Sequence, residues 1–213
     1  IFSAAMVKAI LDGRKFQTRR VLCAFDADRD PPHAGPYMAG HKAATWTDSE
    51  GTPWRYPGAK GAATSDRLYV REAWMHAQYR MDNSEPVPEF GAIYRADGCY
   101  EGLRGWNPSI HMPRWASRLT LTVTDVRAQR LQDISAADAW EEGCKPGELN
   151  DRGEPFPAEE PHPNGGFVGW DCARDWYADL WNSLHGADAW DANPWVVALT
   201  FTVQHGNIDQ VQP

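Results

Sequence analysis

The run Gly13-Arg14-Lys15-Phe16-Gln17-Thr18-Arg19-Arg20 places four cations, an amide and a hydroxyl within eight residues. An ammonium among other cations is pushed toward its neutral, basic form. Thr18 is the nearest hydroxyl for such a base to activate. The ordinary reading of a basic run is a solvated face, where most charged side chains lie. Residues three apart in an extended chain point to opposite faces. Lys15 and Thr18 can therefore cooperate only if the chain turns just after Gly13.

Three further stretches carry polar chemistry. Arg67-Leu-Tyr-Val-Arg-Glu-Ala-Trp74 alternates as a strand with Leu68 and Val70 inward, and delivers Arg71, Glu72 and Trp74 at its end. Its plain alternative is an Arg–Glu surface pair beside a core Trp. Trp106 to Arg118 holds His111, Arg114, Trp115 and Arg118, cations interleaved with an aromatic that suit a base or a phosphate. Glu142 falls in the last turn of a short helix, at the negative end of the helix dipole. On that position alone a solvated carboxylate is expected.

The elements that must position these residues are legible in outline. Ser3 can cap a helix over 4–12 with Met6, Val7, Ile10 and Leu11 on one face, ended by Gly13 in the left-handed C′ position. A short strand to Leu22 follows, with Phe16, Val21 and Leu22 buried. Residues 92–95 read as a strand before the Asp97-Gly98 turn. The clearest strand is 118–131, where Leu119, Leu121 and Val123 alternate with threonines, with a bulge expected at Thr124–Asp125. Ser135 with Asp138 reads as an acidic capping box for a helix stopped by Gly143. Asp171 can cap a helix to about Leu184 with Trp176, Tyr177, Leu180, Trp181 and Leu184 buried. Asn193-Pro194 turns the chain into a last strand, 195–203, with its odd-numbered residues on one face. A frayed tail is expected after His205. Residues 24–65 and 144–169 are rich in Pro and Gly and read as insertions. The first is expected to fold over the domain, because leaving Trp46 and Trp54 exposed is unfavourable.

The 213 residues suit a single domain, 1–213, and 42% hydrophobic content supports a packed core. A net charge of −8 argues against coating nucleic acid by bulk electrostatics, while leaving room for a local basic pocket. Eleven tryptophans can anchor a core or stack on bases. Cys23, Cys99, Cys144 and Cys172 form no C-x-x-C pair, and reduced thiols are expected. No metal and no cofactor are expected. No apolar run approaches a membrane span and no signal peptide is legible, so a soluble cytoplasmic protein is expected, with an initiator Met lost before Ile1.

Taken together, Gly13-Arg14-Lys15-x-x-Thr18-x-Arg20, the 67–74 strand and Ile134-Ser135…Glu142-Gly143 before a final hydrophobic strand resemble the ASCH domain of the PUA-like superfamily. The loop Pro108 to Arg118, with the Trp-rich inserts, looks like the ASCH proteins of phages and prophages. The resemblance covers most of the chain outside 24–65 and 144–169. It implies an α+β fold, a mixed β-barrel-like sheet flanked by helices, with a pocket for a nucleobase. Several small ASCH proteins are N4-acetylcytidine amidohydrolases with a Lys and a Thr in K-x-x-T and a Glu on a helix after the central strand. Those positions match Lys15, Thr18 and Glu142. Phe16 stands where the family often has a small polar residue, and the chain is about twice as long as those hydrolases.

Metal-free amide hydrolysis needs a nucleophile, a proton shuttle and an oxyanion holder. Two versions fit. In one, Lys15 takes the Thr18 proton and Thr18 attacks the N4-acyl carbonyl, with Glu142 anchoring Lys15 or passing a proton to the amine. In the other, Thr18 only orients a water activated by Lys15 or Glu142. Arg19, Arg20, Glu72, Trp74, Arg114 and Trp115 are the expected substrate-binding residues. The expected partner is a small nucleoside or modified base. The alternatives are a non-catalytic RNA-, single-stranded nucleic acid- or modified-base-binding module, and a nuclease.

Overall fold

The computed structural model describes residues 2–22, 33–37, 45–47, 53–54, 65–76, 91–98, 104–161 and 165–211, the three short segments between 33 and 54 as backbone only. It is a mixed α+β protein with few helices and antiparallel strand pairs. The chain divides into two compact units. One comprises Ile1–Asp12, Arg67–Thr122 and Thr202–Pro213; the other comprises Gly13–Asp66 and Val123–Phe201. The largest sheet has the strand order β1-β13-β8-β5, with β1 at Gln17–Val21, β5 at Arg67–Tyr69, β8 at Leu119–Arg130 and β13 at Trp195–His205. No helix of the described residues is long and apolar enough to cross a membrane.

In the first unit, helix α1 (Ala4–Leu11) starts where Ser3 Oγ accepts from the Met6 N–H at 3.3 Å. Asp12 is its C-cap, and Gly13 follows at φ +67°, which an L side chain seldom adopts. Val7, Ala9 and Ile10 are buried, while Met6 and Leu11 are only half-buried. The strand expected over 67–74 breaks in two: β5 pairs with β8 over Arg67–Tyr69, and β6 (Trp74–His76) pairs instead with β7 (Ala92–Tyr94). Leu68 is therefore half-buried and Val70 fully buried. Arg95 leaves the strand expected over 92–95 to open a 3-10 turn to Asp97, ended by Gly98 at φ +71°.

Residues 206–211 are held, against the expectation of a frayed tail after His205. Asn207 Nδ2 donates to the carbonyls of Arg114, Trp115 and Ser117, and Arg67 donates to those of Ile208 and Val211. Side-chain amides and guanidiniums here supply the partners that a strand would otherwise give the backbone.

In the second unit, β1 pairs antiparallel with β13, Thr18 opposite Leu199. Val196, Val197, Ala198 and Leu199 are all buried, so β13 packs on both faces and not on the odd face alone. A strand with neighbours on both sides and cover on both faces reads as a continuous apolar run. Along β8 the buried residues shift from Leu119, Leu121 and Val123 to Val126, a change of phase across Thr124–Asp125 where a bulge is expected.

Helix α2 (Ala136–Glu141) has Ser135 Oγ accepting from the Asp138 N–H at 3.0 Å, Glu142 as C-cap and Gly143 at φ +111°. Helix α3 (Ala173–His185) buries Trp176, Tyr177 and Trp181 against Leu131, Ile134, Ala139 and Val196. Cys172, not Asp171, is its N-cap, and Leu184 is exposed because the apolar stripe stops a turn earlier.

Residues 144–169 hold two antiparallel pairs, β9 (Pro146–Leu149) with β10 (Pro155–Pro157) and β11 (Glu160–Pro161) with β12 (Phe167–Val168). Residues 24–65 contain a small sheet of β2 (His33–Tyr37), β3 (Thr45–Thr47) and β4 (Pro53–Trp54), in which Trp46 stands opposite Trp54. The expected folding of that segment over the domain lies outside the described residues, as do Cys23 and Cys99. Cys144 and Cys172 are free thiols.

Candidate functional site

Lys15 precedes β1 and forms an isolated antiparallel bridge with Glu142. The backbone is tied on both sides of it: Phe16 N–H donates to Glu141 O, and Phe201 N–H to Phe16 O. The chain is therefore extended through 15–20 and does not turn after Gly13. Alternation sends Lys15, Gln17 and Arg19 to one face and Phe16 and Thr18 to the other. Phe16 is 38% exposed, against the expectation that it is buried.

The three side chains of the first face meet the end of α2. Lys15 Nζ donates to Glu142 Oε2 at 2.7 Å and to Glu142 O at 2.8 Å. Arg19 donates to Glu142 Oε1 at 2.8 Å and to Asp138 Oδ2 at 3.1 Å. Gln17 Nε2 donates to Asp138 Oδ1 at 2.7 Å and also to Glu141 Oε2. Arg14 reaches the Gly143 carbonyl. Lys15 is 0% and Glu142 3% exposed. The solvated carboxylate expected from helix position is thus buried, because two cations and not water compensate it. Asp138, read from sequence only as a cap, doubles as an acceptor for Gln17, Arg19 and Arg127. Residues of alternating parity after Lys15 were the signal for Gln17.

Burial drives the Lys15 ammonium below the ordinary lysine value; Glu142 draws it back in part, and Arg20 and Arg19 add to the lowering. Burial alone would raise the Glu142 carboxyl, but the charges of Lys15 and Arg19 and their hydrogen bonds outweigh it and hold it low. Asp138 is likewise held low, Gln17, Arg127 and Arg19 overriding its burial. The Tyr177 ring lies 5.8 Å from the Arg19 guanidinium, and burial with Glu142 nearby keeps its phenol protonated. Thr18 is buried in β1 and makes no hydrogen bond to Lys15 or Glu142, so the Lys15–Thr18 contact of the first version is not formed.

Of the remaining expected residues, Glu72, Trp74, Arg114 and Trp115 belong to the first unit. Glu72 does not pair with Arg71, its neighbour in sequence. Arg71 donates to Ile110 O, while Glu72 takes a bidentate pair from Arg118 at 2.9 and 3.0 Å. Arg118 also reaches Asp97 at 2.7 Å and lies 3.9 Å from the centroid of Tyr94, whose hydroxyl donates to Ala116 O. Burial raises the Glu72 carboxyl despite Arg118. Arg118 was legible only as one cation of its loop.

Trp115, 54% exposed, meets Trp74 edge to face at 5.7 Å and His76 at 5.5 Å. Arg114 pairs with Asp209 at 2.7 Å on the surface. Arg20 is half-buried in the second unit and acts on the cluster through its charge.

The arrangement can move a proton. A buried amine of lowered basicity sits against a fixed carboxylate, whose second oxygen is held by the Arg19 guanidinium. Among the described residues no three His, Cys, Asp or Glu side chains gather as metal ligands. No family model matches the chain, and neither the curated proteins nor the solved structures contain a match to it.

Proposed function

We propose that the chain is an ASCH-type member of the PUA-like superfamily that removes the acyl group from N4 of acylated cytosine nucleosides without a metal. The observation that supports this best is the buried 2.7 Å Lys15–Glu142 pair. It joins the first and last motifs of the resemblance, 127 residues apart, with Arg19 on the second carboxylate oxygen. Of the two versions, the extended chain from Lys15 to Thr18 favours the one with water as nucleophile. Neutral Lys15 takes a proton from that water, and the hydroxide adds to the acyl carbon. The C–N bond then breaks as the Lys15 ammonium returns the proton to N4, releasing the free amine and a carboxylic acid. Lys15 ends neutral, as it began. Glu142 stays ionised, orienting Lys15 and compensating its charge while it holds the proton.

Hydrolysis of N4-acetylcytidine followed by absorbance, for the wild type beside Lys15→Ala and Glu142→Ala, tests this once circular dichroism shows that the variants fold. The expected result is turnover by the wild type and a loss of at least ~100-fold in each variant, the scale of a missing acid–base group. Absence of turnover on acetylated cytosine, cytidine and larger N4-acyl analogues would sink the reading.

A non-catalytic nucleic-acid- or modified-base-binding module is the second reading. It is favoured by Trp115, exposed on the loop 104–118, which carries Arg104, Arg114, Arg118 and His111 and no acidic residue.

A further inference from the structure

The Gln17 amide has a fixed orientation. Its Nε2 donates to the carboxylates of Asp138 and Glu141. An ionised carboxylate only accepts, so the nitrogen faces them and Oε1 faces away. That Oε1 is buried and accepts nothing among the described residues. Arg19 stands two residues along the same strand face. It commits one terminal nitrogen to Glu142 and the other to Asp138, and its Nε–H is buried with no acceptor among the described residues. Gln17 and Arg19 are 3% and 2% exposed. Buried polar atoms are nearly always paired, and an unpaired one carries its full desolvation penalty. Here one acceptor and one donor stand unpaired on adjacent positions of one face, next to the buried Lys15–Glu142 pair.

We infer that Gln17 Oε1 and Arg19 Nε form a recognition edge for the base of the substrate. Gln17 Oε1 accepts the exocyclic N4–H of a cytosine ring, and Arg19 Nε–H donates to an acceptor on the same edge, N3 or O2. The choice of cytosine rests on the function proposed above; the donor–acceptor sense of the pair does not. The edge reads the N–H of the bond to be cut while Lys15 supplies the proton. Gln17 and Arg19 thereby become specificity-determining residues, and a base with no hydrogen on N4 is rejected.

Calorimetric titration of the intact protein with cytidine and with N4,N4-dimethylcytidine, for the wild type and Gln17→Met, tests the inference. The wild type should bind cytidine at least about tenfold more tightly than the dimethyl compound, the scale of one buried hydrogen bond. Gln17→Met should bind the two alike. Equal affinities in the wild type, a preference that survives in Gln17→Met, or no binding of cytidine to the wild type would each overturn it. The wild-type comparison decides the matter even where the variant does not fold. Turnover of N4-acetylcytidine is read separately. A protein that prefers cytidine but hydrolyses nothing keeps the recognition edge and loses the amidohydrolase.

Discussion

Lys15 Nζ and Glu142 Oε2 lie 2.7 Å apart in the interior, and Arg19 occupies the other oxygen of the same carboxylate at 2.8 Å. One anion thus serves two buried cations. The arrangement makes the three residues unequal.

Removing Glu142 strands Lys15 without a counter-ion and costs Arg19 one of two. Removing Lys15 leaves Glu142 still paired with Arg19. Glu142→Ala should therefore lower the unfolding free energy by about 3–5 kcal/mol, the scale of a broken buried ion pair, and Lys15→Met by clearly less. Urea unfolding followed by Trp fluorescence measures both. A larger loss in Lys15→Met would contradict the arrangement.

Acid should unfold the protein through the same cluster. Glu142 and Asp138 are held below their ordinary values. A carboxylate whose folded value is depressed contributes stability that is full above its unfolded value, about 4, and is lost as pH falls through the folded value. Stability should decline below about pH 4, and Glu142→Gln should flatten that decline. An unchanged acid limb in Glu142→Gln would show that Glu142 takes no part.

The rate of deacylation should rise with pH. The reaction needs neutral Lys15, and burial places its ammonium below the ordinary lysine value, so the limb should have its midpoint under about 10.4. Glu142 holds that value up, so Glu142→Gln should move the limb to lower pH as well as weaken it. A limb that moves upward in Glu142→Gln would exclude Lys15 as its source.

Thr18→Val keeps the shape of the side chain and removes the hydroxyl. With water as nucleophile, kcat/KM should fall by less than about tenfold. A nucleophilic Thr18 predicts a loss of ~100-fold or more. Trapping an acyl group on Thr18 would decide for the first version.

In the first unit, Arg118→Met should leave Glu72 buried without its bidentate partner. The Glu72 carboxyl, already raised by burial, should rise further. A carboxylate raised above its unfolded value costs stability as pH rises through that unfolded value. Arg118→Met should therefore be more destabilised at pH 7 than at pH 4, as read by thermal unfolding at both. Equal loss at the two pH values would show that Glu72 is compensated elsewhere.

The sequence by itself determined the local features. Ser3 and Ser135 announced their caps, Gly13 and Gly143 the helix ends, and the Leu/Thr alternation the strand β8, because caps, left-handed backbone and side-chain period are set by neighbours in the chain. It also marked Lys15, Arg19 and Glu142 as residues with chemistry. Only the tertiary structure decided what they do to one another. Helix position alone predicts a solvated Glu142, and the buried carboxylate exists because an extended segment bearing Lys15, 127 residues earlier, and Arg19 brings two cations to it.

The same extended strand separates Thr18 from Lys15, since parity along β1, once the backbone is pinned by Glu141 and Phe201, fixes the faces. Glu72 likewise finds its partner far along the chain. Its nearest cation in sequence, Arg71, donates to Ile110 O, and the carboxylate is held by Arg118 in a distant loop. Pairing of buried charge is settled by which surfaces fold together, and a single chain read in order carries no direct record of that.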